Sequence, residues 1–364
     1  MKSDQRAFFL LIALIGGLAI FSSTLSKTPV LPLFAHALNA SPAEIGWIVM
    51  ASTIPGVLIS YPAGALSDHL GQRRLLLASL IVFATAPFLY LLIETPWQLM
   101  AVRFYHGFAT AIFGTVASAA IAERYTTDRA AKLSTYSSVT LVGRSIAPFL
   151  GGFLISLASF DAVYIACAIS GVLALAAGLL LHPQGVRRQT LAPWAVLAQR
   201  DDTPAPTIKR ERPRFRASLA TVLRDRGIML VSLIEAAQYL VFGAVEAFLA
   251  LFAASLGIPA WQIGVILGVQ LLSIVFAKPL MGKVSDRIGR RRVILPGLLI
   301  GAASVVLLPY FPNFIGLSVL SLAFGLGFAT VTSSTAALVA DLTRNGRYGS
   351  SMGVLRTVMD VGQS

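Results

Sequence analysis

The sequence predicts an all-α membrane protein built from two similar six-helix bundles, the second incomplete, and three observations carry that prediction. Of 364 residues, 56% are hydrophobic and only 12% charged, with a mean hydropathy of +0.77, too apolar for a water-soluble chain of this length. Apolar runs of about 20 residues recur, the length an α-helix needs to cross a hydrocarbon core of about 30 Å. A barrel is excluded, because its strands would alternate in polarity over about ten residues. Finally, one charged loop occurs twice. Tyr61 to Arg74 returns 218 residues later, with Gly64, Ser67, Asp68, Gly71, Arg73 and Arg74 matched by Gly282, Ser285, Asp286, Gly289, Arg291 and Arg292, and Pro62 by Pro279 after a shift of one place.

Taken in order, the apolar runs place spans 1 to 10 at about 7–34, 44–66, 75–94, 97–122, 133–157, 161–182, 227–254, 261–284, 293–311 and 313–340. An eleventh begins near 348. Met1 to Arg6 followed by span 1 has the outline of a secretory leader, but the run is long and lacks a cleavage site, so it reads as a retained helix. Between spans 6 and 7, residues 183–226 are rich in arginine and proline and cannot bury enough apolar surface to form a core. They read as a linker between residues 1–182 and 227–364. The single Cys167 lies in an apolar run and excludes a disulfide framework or a cysteine metal site.

The charges orient the spans, because short cytoplasmic loops hold the excess of Lys and Arg. Of 29 basic residues, Lys27 alone lies toward the opposite face, and Arg103, Arg144, Lys278 and Arg356 fall within spans. The N-terminus, both copies of the loop and the linker therefore face the cytoplasm. A net charge of +13 is then topology plus attraction to anionic lipid, not nucleic-acid binding. The localisation expected is the inner (plasma) membrane, as a monomer.

The repeat runs beyond the loops. Leu33-Phe-Ala35 and Glu44-Ile-Gly46 return as Leu251-Phe-Ala253 and Gln262-Ile-Gly264, and Gly107-Phe-Ala-Thr110 returns as Gly327-Phe-Ala-Thr330. The two halves are thus parallel repeats. Gly143-Arg-Ser145 aligns with Gly362-Gln-Ser364, so the residues after Ser145 in the first half have no counterpart. The chain is expected to be a fragment or a truncated reading frame.

Three stretches carry chemistry. In the repeated loop, two glycines permit a tight turn and close helix approach, and an acid at a helix end can face the positive N-terminus of a neighbour. In span 4, Arg103-Phe-Tyr-His-Gly107 puts a guanidinium into an apolar run, which is costly unless it meets a partner, water or the interface. In span 5, Gly143, Ala147, Gly151 and Gly152 allow helices to pack closely, and Pro148 removes a backbone donor and bends the helix.

Together these stretches resemble the major facilitator superfamily over essentially the whole chain. The loop is similar to the family's G-x-x-x-D-R-x-G-R-R, with His69 departing where Arg287 conforms; the span 4 stretch is similar to R-x-x-Q-G, with His106 in the Gln place. The span 5 stretch is similar to the G-x-x-x-G-P-x-x-G-G of drug/proton antiporters, with Ala147 for one glycine and Ser134 where an earlier glycine is common. The resemblance implies that Asp68 faces the start of span 11 near Ser350, pairs with Arg73 or Arg74, and braces the cytoplasmic face with Glu123, mirrored by Asp341. Asp286 would face span 5 in the same way. It also implies that Arg103 points into a central cavity and assists proton transfer, with His106 either in that relay or packed structurally.

Span 7 adds Glu235, Gln238 and Glu246 near one helix face, and buried acids there need a reason. A protonatable carboxylate in the centre couples proton entry to substrate exit; otherwise these acids pair with Arg144 or Lys278. Lys278 is expected to snorkel, Arg356 and Asp360 to pair within span 11, and Phe104, Tyr105 and Tyr239 are candidate cavity aromatics. No phosphate loop implies ATP, no catalytic grouping implies an enzyme, and no cofactor or metal is expected. The resemblance implies proton-driven export of small organic or drug-like molecules. A sugar or metabolite transporter, a sensor on the same fold and an inactive fragment are the alternatives.

Overall fold

The computed structural model describes residues 3–56, 58–59, 70–125, 128–181 and 225–342. Every regular element among them is helical: α1 (Ser3–Leu25), α2 (Val30–Ala37), α3 (Pro42–Ala51), α4 (Gln72–Tyr90), α5 (Pro96–Arg124), α6 (Arg129–Leu157), α7 (Phe160–Leu179), α8 (Arg226–Ser255), α9 (Ala260–Ile288), α10 (Arg290–Leu307) and α11 (Phe314–Leu342). Nine spans among the described residues are long and apolar enough to cross a bilayer. The expected linker lies outside the described residues except for Asp225 and Arg226, as do most of the first copy of the loop and the whole of span 11.

Most of the expected spans are present with shifted ends, and span 1 differs in kind. The continuous helix expected over 7–34 is broken after Leu25 and resumes at Val30 as α2. Pro29 has no N–H to give to a helical ladder, and the broken segment presents Lys27 and Thr28 to another helix. Span 9 tightens into a 3-10 turn at Leu308–Tyr310 around Pro309. Helix starts are set by local chemistry. Ser41 with Glu44, and Thr95 with Gln98, form reciprocal capping boxes, and the carboxylate of Asp225 accepts from the Gly227 and Ile228 amides.

The helices before residue 182 share two apolar cores. Phe9, Ile12, Leu80, Phe83, Phe113 and Val116 lie toward the basic loops, and Leu25, Leu31, Tyr90, Leu99 and Tyr164 toward the opposite face. The helices after residue 225 share a third core around Phe242, Leu249, Ile266, Leu267, Phe324 and Phe328. Outward-facing positions are also apolar: Leu92, Phe276, Val306 and Ile315 are each at least 65% exposed. In water such a surface would aggregate; in a bilayer it is the lipid contact.

Candidate functional site

The two sets of helices meet most closely along α6 and α9. A Cβ on Gly152 would collide with the Ala260 carbonyl and the Gly264 backbone, and one on Gly264 would meet the Pro148 carbonyl; one on Gly268 would collide with the Phe149 ring. The Trp261 amide donates to Ser156 Oγ at 2.9 Å. The small residues of the span 5 stretch therefore do what their size permits, bringing backbone against backbone. Gly143 abuts the Gly17 carbonyl, Gly151 abuts Val30 and Leu25, and Ala147 is fully buried.

Toward the face opposite the basic loops, the break between α1 and α2 meets α8. Lys27 Nζ donates to Glu246 Oε2 at 2.9 Å and Thr28 Oγ1 donates to Oε1 at 2.6 Å. Both carboxylate oxygens are engaged, and the pair is largely shielded, with side-chain exposures of 24% and 7%. The alternatives raised by the sequence had Glu246 free in a cavity or paired with Arg144 or Lys278. Its partner is instead Lys27, the one cation on that face, reached because the helix breaks before Pro29.

Deeper in α8, Glu235 is buried and bonded to the Thr335 hydroxyl of α11. Gln238, one turn on, is buried with its Oε1 unpartnered. Lys278 lies within electrostatic range of both Glu235 and Arg144, and Arg144 within range of Glu246. Arg144 on α6 is thus electrostatically linked to the locked Glu246 and to Lys278.

Arg103 differs from expectation. It points into the first bundle, not into a space between bundles. It is 4% exposed, donates to Ser52 Oγ at 2.7 Å, and lies 3.5 Å from the Tyr90 hydroxyl. The Tyr90 hydroxyl is 3.3 Å from His106 Nδ1, and the His106 ring stands edge-on to Phe83. Tyr90 in turn stacks on Tyr164. The cause is steric as well as polar: Gly107 brings α5 against the Ser52 carbonyl, so the residue one turn earlier meets Ser52 and not the bundle interface.

In the repeated loop, Gly71 and Gly289 share φ values of +87° and +99°, a backbone that side-chain-bearing residues rarely adopt. Arg73 donates to the Leu179 carbonyl at 3.2 Å and to that of Leu181, capping the end of α7. Asp286, expected to face span 5, pairs with Arg290 across the α9–α10 turn and is exposed. Gly282 has open space where close helix approach was expected. Glu123, Arg74, Arg287, Arg291 and Arg292 are exposed. Gly64, Asp68 and Asp360, and the Asp341 side chain, lie outside the described residues.

The profile of the Major Facilitator Superfamily matches residues 12–364. The chain belongs to this superfamily. Its members are transporters, not enzymes, and the chain is a multi-pass membrane protein. An uncharacterized MFS-type transporter of Methanocaldococcus jannaschii is 22% identical over 337 residues, 92% of this chain and 83% of that protein. Multidrug resistance protein MdtM of Salmonella typhimurium is 29% identical over 204 residues, 52% of this chain and 49% of that one. The match thus spans about half the length of this multidrug relative. Among solved structures, a variant of nucleoside transporter NupG superposes with a TM-score of 0.80 at 14% identity, covering 98% of this chain and 88% of that one. A bacterial homologue of the lysosomal transporter Spinster, inward-facing and unoccupied, gives 0.79 at 15% identity, covering 100% and 81%. At such identities the superpositions establish the fold.

The partners are not legible in the sequence. Ser52 and Tyr90 for Arg103, Gly264 and Gly268 for the span 5 glycines, and Lys27 for Glu246 are all distant in sequence. One signal was present: Lys27, the single Lys or Arg on its face and two residues before Pro29, needs an acid.

Proposed function

We propose that this chain is a proton-coupled secondary transporter of the inner membrane, N-terminus cytoplasmic, that exports small organic molecules by alternating access. The observation that carries the proton coupling is Glu235. It sits within the membrane, and its closest partner is a neutral hydroxyl. That hydroxyl, Thr335 Oγ1, also lies 2.9 Å from the Val331 carbonyl. A hydroxyl has one proton for these acceptors and for the Thr332 carbonyl at 3.4 Å. A protonated Glu235 resolves the competition by donating to Thr335, which then donates to Val331. An intramembrane carboxyl that holds a proton in one state and meets Lys278 in another is the element a proton-coupled cycle needs.

The export direction is supported by the multidrug relatives and by the small-residue seam between α6 and α9. Lys27, Thr28 and Glu246 close the face opposite the basic loops, while Asp286 and Glu123 stand exposed on the basic side. That asymmetry matches a state open toward the cytoplasm, ready to load.

The test is transport into inside-out proteoliposomes with an imposed pH gradient, using a panel of fluorescent organic dyes. Accumulation should require the gradient, and Glu235→Gln should abolish it while leaving dye binding within about twofold. Gradient-driven accumulation that survives Glu235→Gln refutes the assignment, and movement indifferent to the gradient indicates a facilitative metabolite carrier.

A further inference from the structure

Arg144 and Lys278 come from different bundles, and the register of the α6–α9 seam brings them near one another. Along the α6–α9 seam, Gly152 lies against Gly264 and Phe149 against Gly268, so the helices run antiparallel. Continuing that register toward the basic face puts Arg144 level with the stretch near residue 272. Lys278 is then about six residues, roughly 9 Å of helix rise, nearer the basic face. Helical side chains lean toward the N-terminus of their own helix. The N-terminus of α6 is on the basic face and that of α9 on the opposite one. Arg144 therefore leans toward Lys278 and Lys278 toward Arg144, and Lys278 lies within range of the Arg144 charge.

Neither cation is neutralised by contact. The neighbouring acids have turned elsewhere: Glu246 spends its oxygens on Lys27 and Thr28, and Glu235 is bonded to Thr335. Among the described residues, neither Arg144 nor Lys278 has an ion pair or hydrogen bond. Asp360, an acid the sequence places in span 11, lies outside those residues. Arg144 is half-buried and Lys278 exposed, so both remain within reach of a ligand, while the Lys27–Glu246 contact lies toward the other face. Two like charges facing one another inside a membrane protein repel, and a charge there is costly without a partner. One anionic group between them removes both penalties and ties the bundles together.

We infer that Arg144 and Lys278 form a bridging subsite for an anionic group, a carboxylate or phosphate, on the transported molecule. The subsite names the substrate class of the proposed path and rests on that reading. A guanidinium suits two-point contact with a carboxylate or phosphate, and an ammonium adds a point charge.

The experiment measures equilibrium binding of three isosteric probes, 2-naphthoate, 2-naphthamide and 2-naphthylmethylammonium, to the full chain in zwitterionic nanodiscs. Naphthoate should bind tightest and be displaced by inorganic phosphate. Arg144→Gln and Lys278→Gln should each weaken naphthoate by about tenfold to a hundredfold and leave naphthamide within twofold. Arg144→Lys and Lys278→Arg, which keep the charge and guard against misfolding, should retain most of the affinity. Equal binding of the three probes, preference for the cation, or no naphthoate binding overturns the inference. So does loss of naphthoate binding when phosphatidylglycerol is added to the nanodisc, which would assign the subsite to a lipid headgroup. Gradient-driven transport of neutral dyes with no anion preference would sink the subsite and leave the transporter reading intact. The converse result, anion binding without proton-driven transport, would do the reverse.

Discussion

Replacing Lys27 by Gln should shift the protein toward a state open on the face opposite the basic loops. In the closed arrangement Glu246 holds two charge-assisted contacts, 2.9 Å to Lys27 and 2.6 Å to Thr28. The substitution leaves a shielded carboxylate with one of them. Hydrogen bonds to charged groups are worth about 1.5–3 kcal/mol. Because Lys27 is 24% exposed, solvent recovers part of that, and the lower end, about 1.5 kcal/mol, is the better figure. At about 1.4 kcal/mol per factor of ten, the closed-to-open ratio should fall roughly tenfold. Spin labels at Ala37→Cys and Ser255→Cys, exposed positions flanking the contact, report the opening in a Cys167→Ala background by pulsed dipolar spectroscopy. A longer-distance population should grow in Lys27→Gln and shrink again in the charge swap Lys27→Glu with Glu246→Lys. An unchanged distance distribution in Lys27→Gln, with the protein folded, would show that the contact does not hold the face shut.

Further expectations concern packing and backbone. Gly264→Leu should lower thermal stability by about 1–3 kcal/mol through overpacking of the α6–α9 seam and block transport, whereas Gly282→Ala, with open space at its Cβ, should stabilise or be neutral in the same melting assay. Gly289→Ala should cost about 1–2 kcal/mol because its φ of +99° suits no Cβ, again read by thermal melting in nanodiscs. Arg103→Ala should destabilise the fold, since it strips the Ser52 and Tyr90 hydroxyls of their buried partner, yet leave the pH dependence of transport in place. A shifted pH profile would instead put Arg103 in the proton path.

What the sequence disclosed and what it concealed divide along physical lines. Hydrophobic length and the repeated loop are local properties, so the spans, the all-helical class and the family were readable. So was the use of Gly143, Gly151 and Gly152, because small residues in one helix announce close packing without naming the neighbour. The direction of a side chain around a helix is another matter. Arg103 was expected between the bundles; it turned inward because Gly107, one turn away, fixes α5 against Ser52. Glu246 was expected to be free or paired with Arg144 or Lys278, and its actual partner depends on a helix break at Pro29 that apolar run length cannot reveal. Asp286 was expected to brace span 5, yet the short reach to Arg290 across the α9–α10 turn satisfies it locally.

The seam at Gly152 and Gly264 bears on how such a molecule moves. Interlocked side chains act as gear teeth, and two surfaces joined that way must separate before they can turn. Two bare stretches of backbone present a smooth bearing instead, resistant to pulling apart and tolerant of rolling. If the bundles roll on this bearing, little apolar contact need be lost between one facing state and the other. The balance between the states is then set by a few polar contacts at the rim, such as that of Lys27 with Glu246, and one proton or one bound anion is large enough to tip it.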